Sequence, residues 1–317
     1  MSEKLLSVVV PVYNEEEVIG ETLKRLKSVL DALPMRYEIL FVNDGSRDHT
    51  LQILRPACRD DARLKLIDFS RNFGHQTAIT AGMDYAEGDA VVVIDADLQD
   101  PPECIPEMVA LWESGYEVVY GKRKSRKGES VFKRFTAAAF YRILNRLTDE
   151  EIPVDTGDFR LLDQKVVQAL RSVPERGRYV RGLISWIGYK QTAYEFERAE
   201  RFAGKTKYPL KKMFSLARDA VYSFSYKPLR IVGGIGSVAA AAGFLYLLYI
   251  VIAKLCGAAF AVGWPSVMCA LLLIGGIIMI ALGMMGNYIG RIYDEVKARP
   301  LYLVRDTENL EGRHGRD

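Results

Sequence analysis

Short apolar runs and amphipathic segments alternate through the first 120 residues of the chain. The runs fall at residues 7–12, 37–42, 64–69, 90–94 and 117–120, most of them rich in Val and Ile. Such runs, with little polar alternation, predict strands buried on both faces. Between them, residues 16–33 set Val18, Ile19, Leu23, Leu26 and Leu30 along one helical stripe, and residues 50–58, 75–85 and 105–114 repeat the period. Strand alternating with helix predicts an α/β domain on a mostly parallel sheet with crossover helices. Ligands of such sheets bind beyond the carboxyl ends of the strands, so chemistry is expected in the residues that follow each run.

The pattern changes past Gly121. A basic stretch at 122–133 leads into an amphipathic helix to about Leu147, an acidic turn at 149–151 and a strand-like segment at 159–162. Residues 198–230 are basic with interleaved Tyr208, Leu210, Met213, Phe214, Leu216, Val221, Tyr222 and Phe224, a composition suited to a membrane interface. Residues 231–290 then hold a single charge, Lys254, and predict two spans at 231–253 and 265–289, since a run of about 20 apolar residues crosses a bilayer. A tail follows at 291–317.

Charge refines this picture. The chain has 317 residues and a net charge of only +3, which argues against a nucleic-acid partner. The balance is segregated: residues 1–170 carry 22 basic and 29 acidic side chains, residues 171–230 carry 14 and 5. Four cysteines without CxxC spacing indicate neither a zinc site nor a disulfide framework. The amino terminus lacks the pattern of a secretory signal, and the polar part is expected in the cytoplasm. Basic residues cluster before the first span and after the second, so the positive-inside rule places both termini in the cytoplasm and the loop at 256–264 outside.

Candidate chemistry sits where the sheet predicts it. Asp95-Ala96-Asp97, with Gln99, ends the 90–94 run and can bring hard oxygen ligands to one Mg²⁺ or Mn²⁺ that also binds a pyrophosphate. Pro11-Val12-Tyr13-Asn14-Glu15 follows the first run, and Asn43-Asp44-Gly45-Ser46 the second. Asp44 is an acceptor suited to base or ribose donors, although Asn14 and Ser46 also read as ordinary helix caps. Arg123 follows the fifth run and Lys133 and Arg134 open the next helix; guanidinium forks match phosphate geometry, while solvated surface charge is the plainer alternative. Arg201, Lys205 and Lys207 either clamp phosphates or meet anionic headgroups. Asp158 is the candidate base, with a turn cap as the alternative. Arg71 is a candidate nucleotide contact, and His75 is read as a helix-start residue without a catalytic role.

Together these segments resemble the glycosyltransferase family 2 proteins that load sugars onto polyprenyl phosphates, the dolichol-phosphate mannosyltransferases and bactoprenol glycosyltransferases. The likeness spans nearly the whole chain and rests on VVVPVYNEE, FVNDGSRDHT, FSRNFGHQTAITAGMDYAEGD, VVVIDADLQDPPE, YGKR, TGDFRLL and RFAGKTKYP, followed by two spans. FSRNFGHQ and ERGRYVRGLISWIGYKQ look closer to the bactoprenol glucosyltransferase branch. One segment departs: the family's usual Gly-Glu-Ser-Lys is Gly204-Lys205-Thr206-Lys207 here.

The resemblance implies a Rossmann-like GT-A catalytic domain at 1–197, a juxtamembrane segment at 198–230, a transmembrane hairpin at 231–290 and a cytoplasmic tail. It implies metal on Asp95, Asp97 and Gln99, and a nucleotide sugar held by Asp44 and the 11–15 loop, with Arg71 and Asp95 to Asp97 as further candidate contacts. The expected reaction is inverting transfer of glucose or N-acetylglucosamine from a UDP-sugar to polyprenyl phosphate at the cytoplasmic face, whose product needs a separate flippase. A homo-oligomer is left open. Two other readings are weighed. A processive polysaccharide synthase would show a Gln-x-x-Arg-Trp motif, which the chain lacks. A nucleotide-binding membrane scaffold would not need the acidic turn.

Overall fold

The computed structural model describes residues 4–123, 156–197, 227–256 and 263–310. The apolar runs become strands β1 (Leu5–Val12), β2 (Arg36–Asn43), β3 (Leu64–Phe69), β4 (Ala90–Val93) and β5 (Val118–Arg123). Between them lie α1 (Ile19–Leu30), α2 (Thr50–Asp60), α3 (His75–Tyr85) and α4 (Ile105–Glu113). Strand β6 (Thr156–Asp163) leads into α5 (Gln164–Ser172), α6 (Val180–Ile187) and β7 (Gln191–Phe196).

Among the described residues the sheet runs β7-β5-β6-β4-β1-β2-β3-β8, the last strand being Val304–Glu308. Strands β4, β1, β2 and β3 are parallel; β6 lies antiparallel between β4 and β5, and β8 is antiparallel to β3. The chain winds outward from β1 through β2 to β3, then crosses back to place β4 on the other side of β1. That reversal opens a crevice at the carboxyl ends of β1 and β4. Because β6 runs antiparallel, its first residues reach the same edge.

Alternate residues of β1 serve two layers. Leu6, Val8, Val10 and Val12 join Ile19 and Leu26 of α1, Leu54 of α2 and Met108 of α4 in one buried cluster. Val9 meets α3 instead, and α3 approaches so closely that a Cβ on Gly82 would lie 2.1 Å from Val9 Cγ1. The mostly parallel α/β sheet predicted from the sequence is therefore the fold, with β6 and β8 as its antiparallel strands.

Three elements differ from expectation. The first helix starts at Ile19 rather than at residue 16, and the Glu15 and Glu16 amides before it donate to Thr50 Oγ1 (2.9 Å) and Asp48 Oδ2 (3.2 Å) across the loop. The strand expected at 159–162 extends over Thr156–Asp163 and takes an interior place in the sheet. Within the expected tail, Val304–Glu308 becomes β8. The amphipathic helix read up to Leu147 and most of the 198–230 segment lie outside the described residues.

The second compact unit of the chain holds two long helices, α7 (Lys227–Leu255) and α8 (Trp264–Val296). Among the described residues one stretch is long and apolar enough to cross a membrane, Ile274–Val296 in α8; α7 carries a shorter apolar stretch, Val232–Tyr246. Leu245, Tyr246, Ile278, Met279 and Ile280 are all exposed, a surface that water would penalise and lipid would not.

Candidate active site

The β1–α1 and β2–α2 loops are laced into one body. Asn14 takes a left-handed conformation, φ +54°; its amide donates to Ser46 Oγ (3.0 Å) and its Oδ1 accepts from Arg47 N (2.8 Å). Pro11 pairs with Val42 within the sheet, while Tyr13 is exposed at the loop's tip. Gly45, φ +66°, allows this loop to pass beneath the next one: a Cβ there would sit 2.6 Å from the Arg71 carbonyl carbon.

Asp44 is buried, and its carboxylate is engaged. Oδ1 accepts from Phe73 N at 2.6 Å and Oδ2 from Gly74 N at 3.0 Å, while its carbonyl accepts from Asn72 Nδ2 at 3.1 Å. Burial pushes its carboxyl above the usual range against the pull of those amides. The side chain thus holds the β3–α3 loop beside the β2 loop. Arg71, on that loop, is exposed and lies 4.1 Å over the Phe73 ring.

The loop after β4 carries Asp95 to Gln99. Thr22 Oγ1 ties it to α1 by donating to Ala96 O at 2.7 Å, and Leu98 is buried at φ +56°, an uncommon conformation for a branched side chain. The turn puts Gln99 N 3.2 Å from Asp97 Oδ1. Oδ1 of Asp95 is buried and accepts no hydrogen bond; the His75 Nε2 atom lies 3.4 Å away. Burial raises the Asp95 carboxyl above its usual range against the attraction of His75, and nearby Asp158 and Asp97 add to the rise.

That donor set fits a divalent cation. A buried carboxylate oxygen that accepts no hydrogen bond and meets only His75, at 3.4 Å, retains lone pairs for a hard cation, and Asp97 and Gln99 follow at alternate positions of the same turn. Among the described residues no group of three His, Cys, Asp or Glu side chains converges to form a protein-only cage. Mg²⁺ is commonly held by one or two carboxylates with substrate phosphates and water completing the shell, which is the set available here.

Asp158 opens a second cluster across the crevice. Its Oδ1 accepts from Arg181 Nε at 2.8 Å; its Oδ2 accepts from Arg181 Nη2 at 3.0 Å and Gln76 Nε2 at 3.1 Å, with His75 Nε2 at 3.2 Å. Burial alone would raise this carboxyl, but the charge of Arg181 and the His75 hydrogen bond hold it well below the usual range. His75 responds in the opposite sense: burial disfavours its charge, yet Asp158 and Asp95 push it up to about 9. Gln76 also accepts from Val180 N at 3.1 Å, so α3, β6 and α6 meet at this carboxylate. Asp158, the candidate base of the sequence reading, is thus a buried carboxylate with four donor contacts that ties together α3, β6 and α6.

The structure brings Asp158 to the same sheet edge as Asp95, Asp97 and Gln99, and adds His75, which the sequence reads only as a helix-start residue, with Gln76 and Arg181, to which it gives no role. His75 and Gln76 lie in FSRNFGHQ and Arg181 in ERGRYVRG, segments that were noted without a role. Arg123 ends β5, one residue after the Lys122 that pairs with Thr156 at the same edge. Lys133, Arg134, Arg201, Lys205 and Lys207 lie outside the described residues.

Comparison with known proteins agrees with this architecture. The model of glycosyl transferase family 2 matches residues 7–171, and that of the GtrB C-terminal hairpin matches residues 227–292. An uncharacterized glycosyltransferase of Bacillus subtilis is 55% identical over 307 residues, 97% of this chain and 95% of that protein. A prophage-derived bactoprenol glucosyl transferase of Shigella flexneri is 40% identical over 300 residues, 95% and 97% of the two chains. Among solved structures, glucosyl-3-phosphoglycerate synthase from Mycobacterium tuberculosis, in complex with Mn²⁺, UDP and phosphoglyceric acid, superposes with a TM-score of 0.50 at 19% identity, covering 69% of this chain and 76% of that one. At that identity it speaks for the GT-A type of fold alone. With a family match over more than half its length, and relatives that extend the likeness through both long helices, the chain belongs to glycosyltransferase family 2.

Proposed function

We propose that the protein transfers glucose or N-acetylglucosamine from a UDP-sugar to polyprenyl phosphate, with a divalent metal, at the cytoplasmic face of the membrane. The observation that carries the reading is the buried oxygen of Asp95 that accepts no hydrogen bond, in an acidic turn at the crevice, in a chain 40% identical to a bactoprenol glucosyl transferase across 95% of its length. The 11–15 loop, Asp44 and Arg71 form the nucleotide side. Asp95, Asp97 and Gln99 hold the metal, which when bound neutralises the departing diphosphate as a Lewis acid. Arg123, at the end of β5, is our candidate for the acceptor phosphate, together with Lys133, Arg134, Arg201, Lys205 and Lys207.

The acceptor needs no strong base. A phosphate monoester is largely ionised at neutral pH, because its second pKa is about 6, so its oxygen is ready to attack the anomeric carbon. Direct displacement inverts configuration there. The chain's task is to hold two anions in line against their repulsion. Asp158 serves by keeping Arg181 and His75 in place, so that positive charge faces the reacting groups.

Purified full-length protein, incubated with undecaprenyl phosphate and radiolabelled UDP-glucose, UDP-N-acetylglucosamine or GDP-mannose, should label the lipid from one UDP-sugar and lose that activity in chelator. Labelling from GDP-mannose alone would reverse the donor assignment, and chelator-resistant transfer would remove the metal.

The membrane arrangement supports the same reading through charge: Lys227 and Arg230 open α7, and Arg291, Lys297 and Arg299 lie at the far end of α8. With Cys256 and Cys269 replaced, a Gly263→Cys variant should react with an impermeant thiol reagent added to intact cells, and a reporter active only in the cytoplasm should work when fused after Asp317. Protection of residue 263 together with a silent reporter would reverse the topology.

A further inference from the structure

The strand that follows the second long helix is built into the edge of the sheet next to the β3–α3 loop. It pairs antiparallel with β3 from Leu66↔Glu308 to Phe69↔Val304. Beyond that pairing it grips the loop directly: Ser70 N donates to Leu303 O at 2.9 Å, and Arg305 Nη2 donates to Ser70 O at 2.7 Å. Arg55 of α2 holds the strand from the other side through Asp306 (2.6 Å) and Glu308 (3.3 Å), and Asn309 Nδ2 donates to Leu64 O at 2.8 Å.

Tyr302 is the inward element of this strap. It is buried, its ring stacks on Phe69 at 5.1 Å and 16°, and its hydroxyl donates to Asp84 Oδ2 of α3 at 3.1 Å. Phe69 in turn meets Phe73 edge-on at 5.6 Å, and the Arg71 guanidinium lies on Phe73 at 4.1 Å. Packed rings therefore connect Tyr302 to Arg71 without a gap, and the amides of Phe73 and Gly74 in the same loop are those that Asp44 binds. Chain connectivity makes this unexpected: a residue six positions past the end of α8 packs between β3 and α3 of the catalytic domain.

We propose that Tyr302 is a positioning residue of the donor site, holding the 70–74 loop, and with it Arg71, in the conformation that receives the nucleotide. The inference rests on the donor reading above, but its first readout does not. In the full-length protein, Tyr302→Ala should speed hydrogen exchange of the Phe73 and Gly74 amides and raise the KM for nucleotide sugar about three- to tenfold, the scale of one lost aromatic pair. The KM for polyprenyl phosphate should stay unchanged. Tyr302→Phe, which keeps the stack, should remain close to wild type. Should Tyr302→Ala fail to fold, Arg305→Ala removes only the exposed grip on Ser70 O and should accelerate the same two amides. A strap that merely stabilises the sheet would lower the melting temperature while leaving those amides and the donor KM unmoved, which would overturn the proposal. Faster exchange with an unchanged donor KM would overturn it as well. If no nucleotide sugar serves as substrate, the exchange data still show whether the strap orders the loop, so failure of the donor reading is told apart from failure of the strap.

Discussion

Asp97→Asn and Asp95→Asn should each lower sugar transfer by at least ~10²–10³-fold, the range for losing one electrostatic contact to a developing charge, while the protein stays folded. The two variants keep the turn. Gln99 N donates to Asp97 Oδ1 at 3.2 Å, and an Asn at that position can accept the same bond. At Asp95 burial opposes the charge and Asp158 and Asp97 repel it, and the attraction of His75 offsets this only in part. A neutral amide of the same shape removes that cost, so Asp95→Asn should melt at the wild-type temperature or above it while losing activity. Loss of transfer with stability retained is what a ligand poised for a cation predicts, since strain at a functional site is tolerated for the sake of the reaction. The checks are initial rates with saturating Mg²⁺ and thermal melts of the metal-free protein. Near-normal transfer by Asp97→Asn in chelator would sink the metal assignment.

How much of this was legible in the chain follows from what each residue is asked to do. Strands β1 to β4 are covered on both faces, and covering both faces demands the unbroken Val- and Ile-rich runs that the eye finds at once. Strand β6 is equally central, yet it opens on Thr156, Gly157 and Asp158 and ends on Asp163, so only 159–162 read as strand. Its buried charges are the mark of a site, and local hydrophobicity conceals such strands. Strands β7 and β8 sit at the edges as QTAYEF and VRDTE, where half-exposed polar residues leave no periodicity to detect.

The acidic turn was legible because both carboxylates lie two residues apart at the end of a buried run. Asp44 was legible as important, but its amide partners are 29 and 30 residues further along, and no spacing announces them. His75 and Arg181 are separated by more than 100 residues and acquire meaning only when β6 brings Asp158 between them. Sequence spacing carries local chemistry; juxtaposition across the sheet has to be seen.

Arg181→Ala should be the most damaging substitution outside the acidic turn. It strips Asp158 of the contacts at 2.8 and 3.0 Å and leaves its carboxylate to His75 and Gln76. Removing one partner of a buried ion pair costs about 3–5 kcal/mol, because the remaining charge has no water to turn to. For a protein of this size the melting temperature should fall by roughly 6–20 °C. Arg181→Lys restores a charge without the two-pronged geometry and should recover part of the stability. The pairing is tested by a double-mutant cycle. Asp158→Asn with Arg181→Ala leaves no orphaned carboxylate, so the double variant should be more stable than Arg181→Ala alone. Simple addition of the two losses would show that Arg181 acts through packing. Activity distinguishes anchoring from proton transfer: with a pre-ionised acceptor, Asp158→Asn should lower kcat through displaced Arg181 and His75, by about as much as Arg181→Ala does. A far larger loss in Asp158→Asn, with Arg181→Ala folded and active, would return the role of base to Asp158.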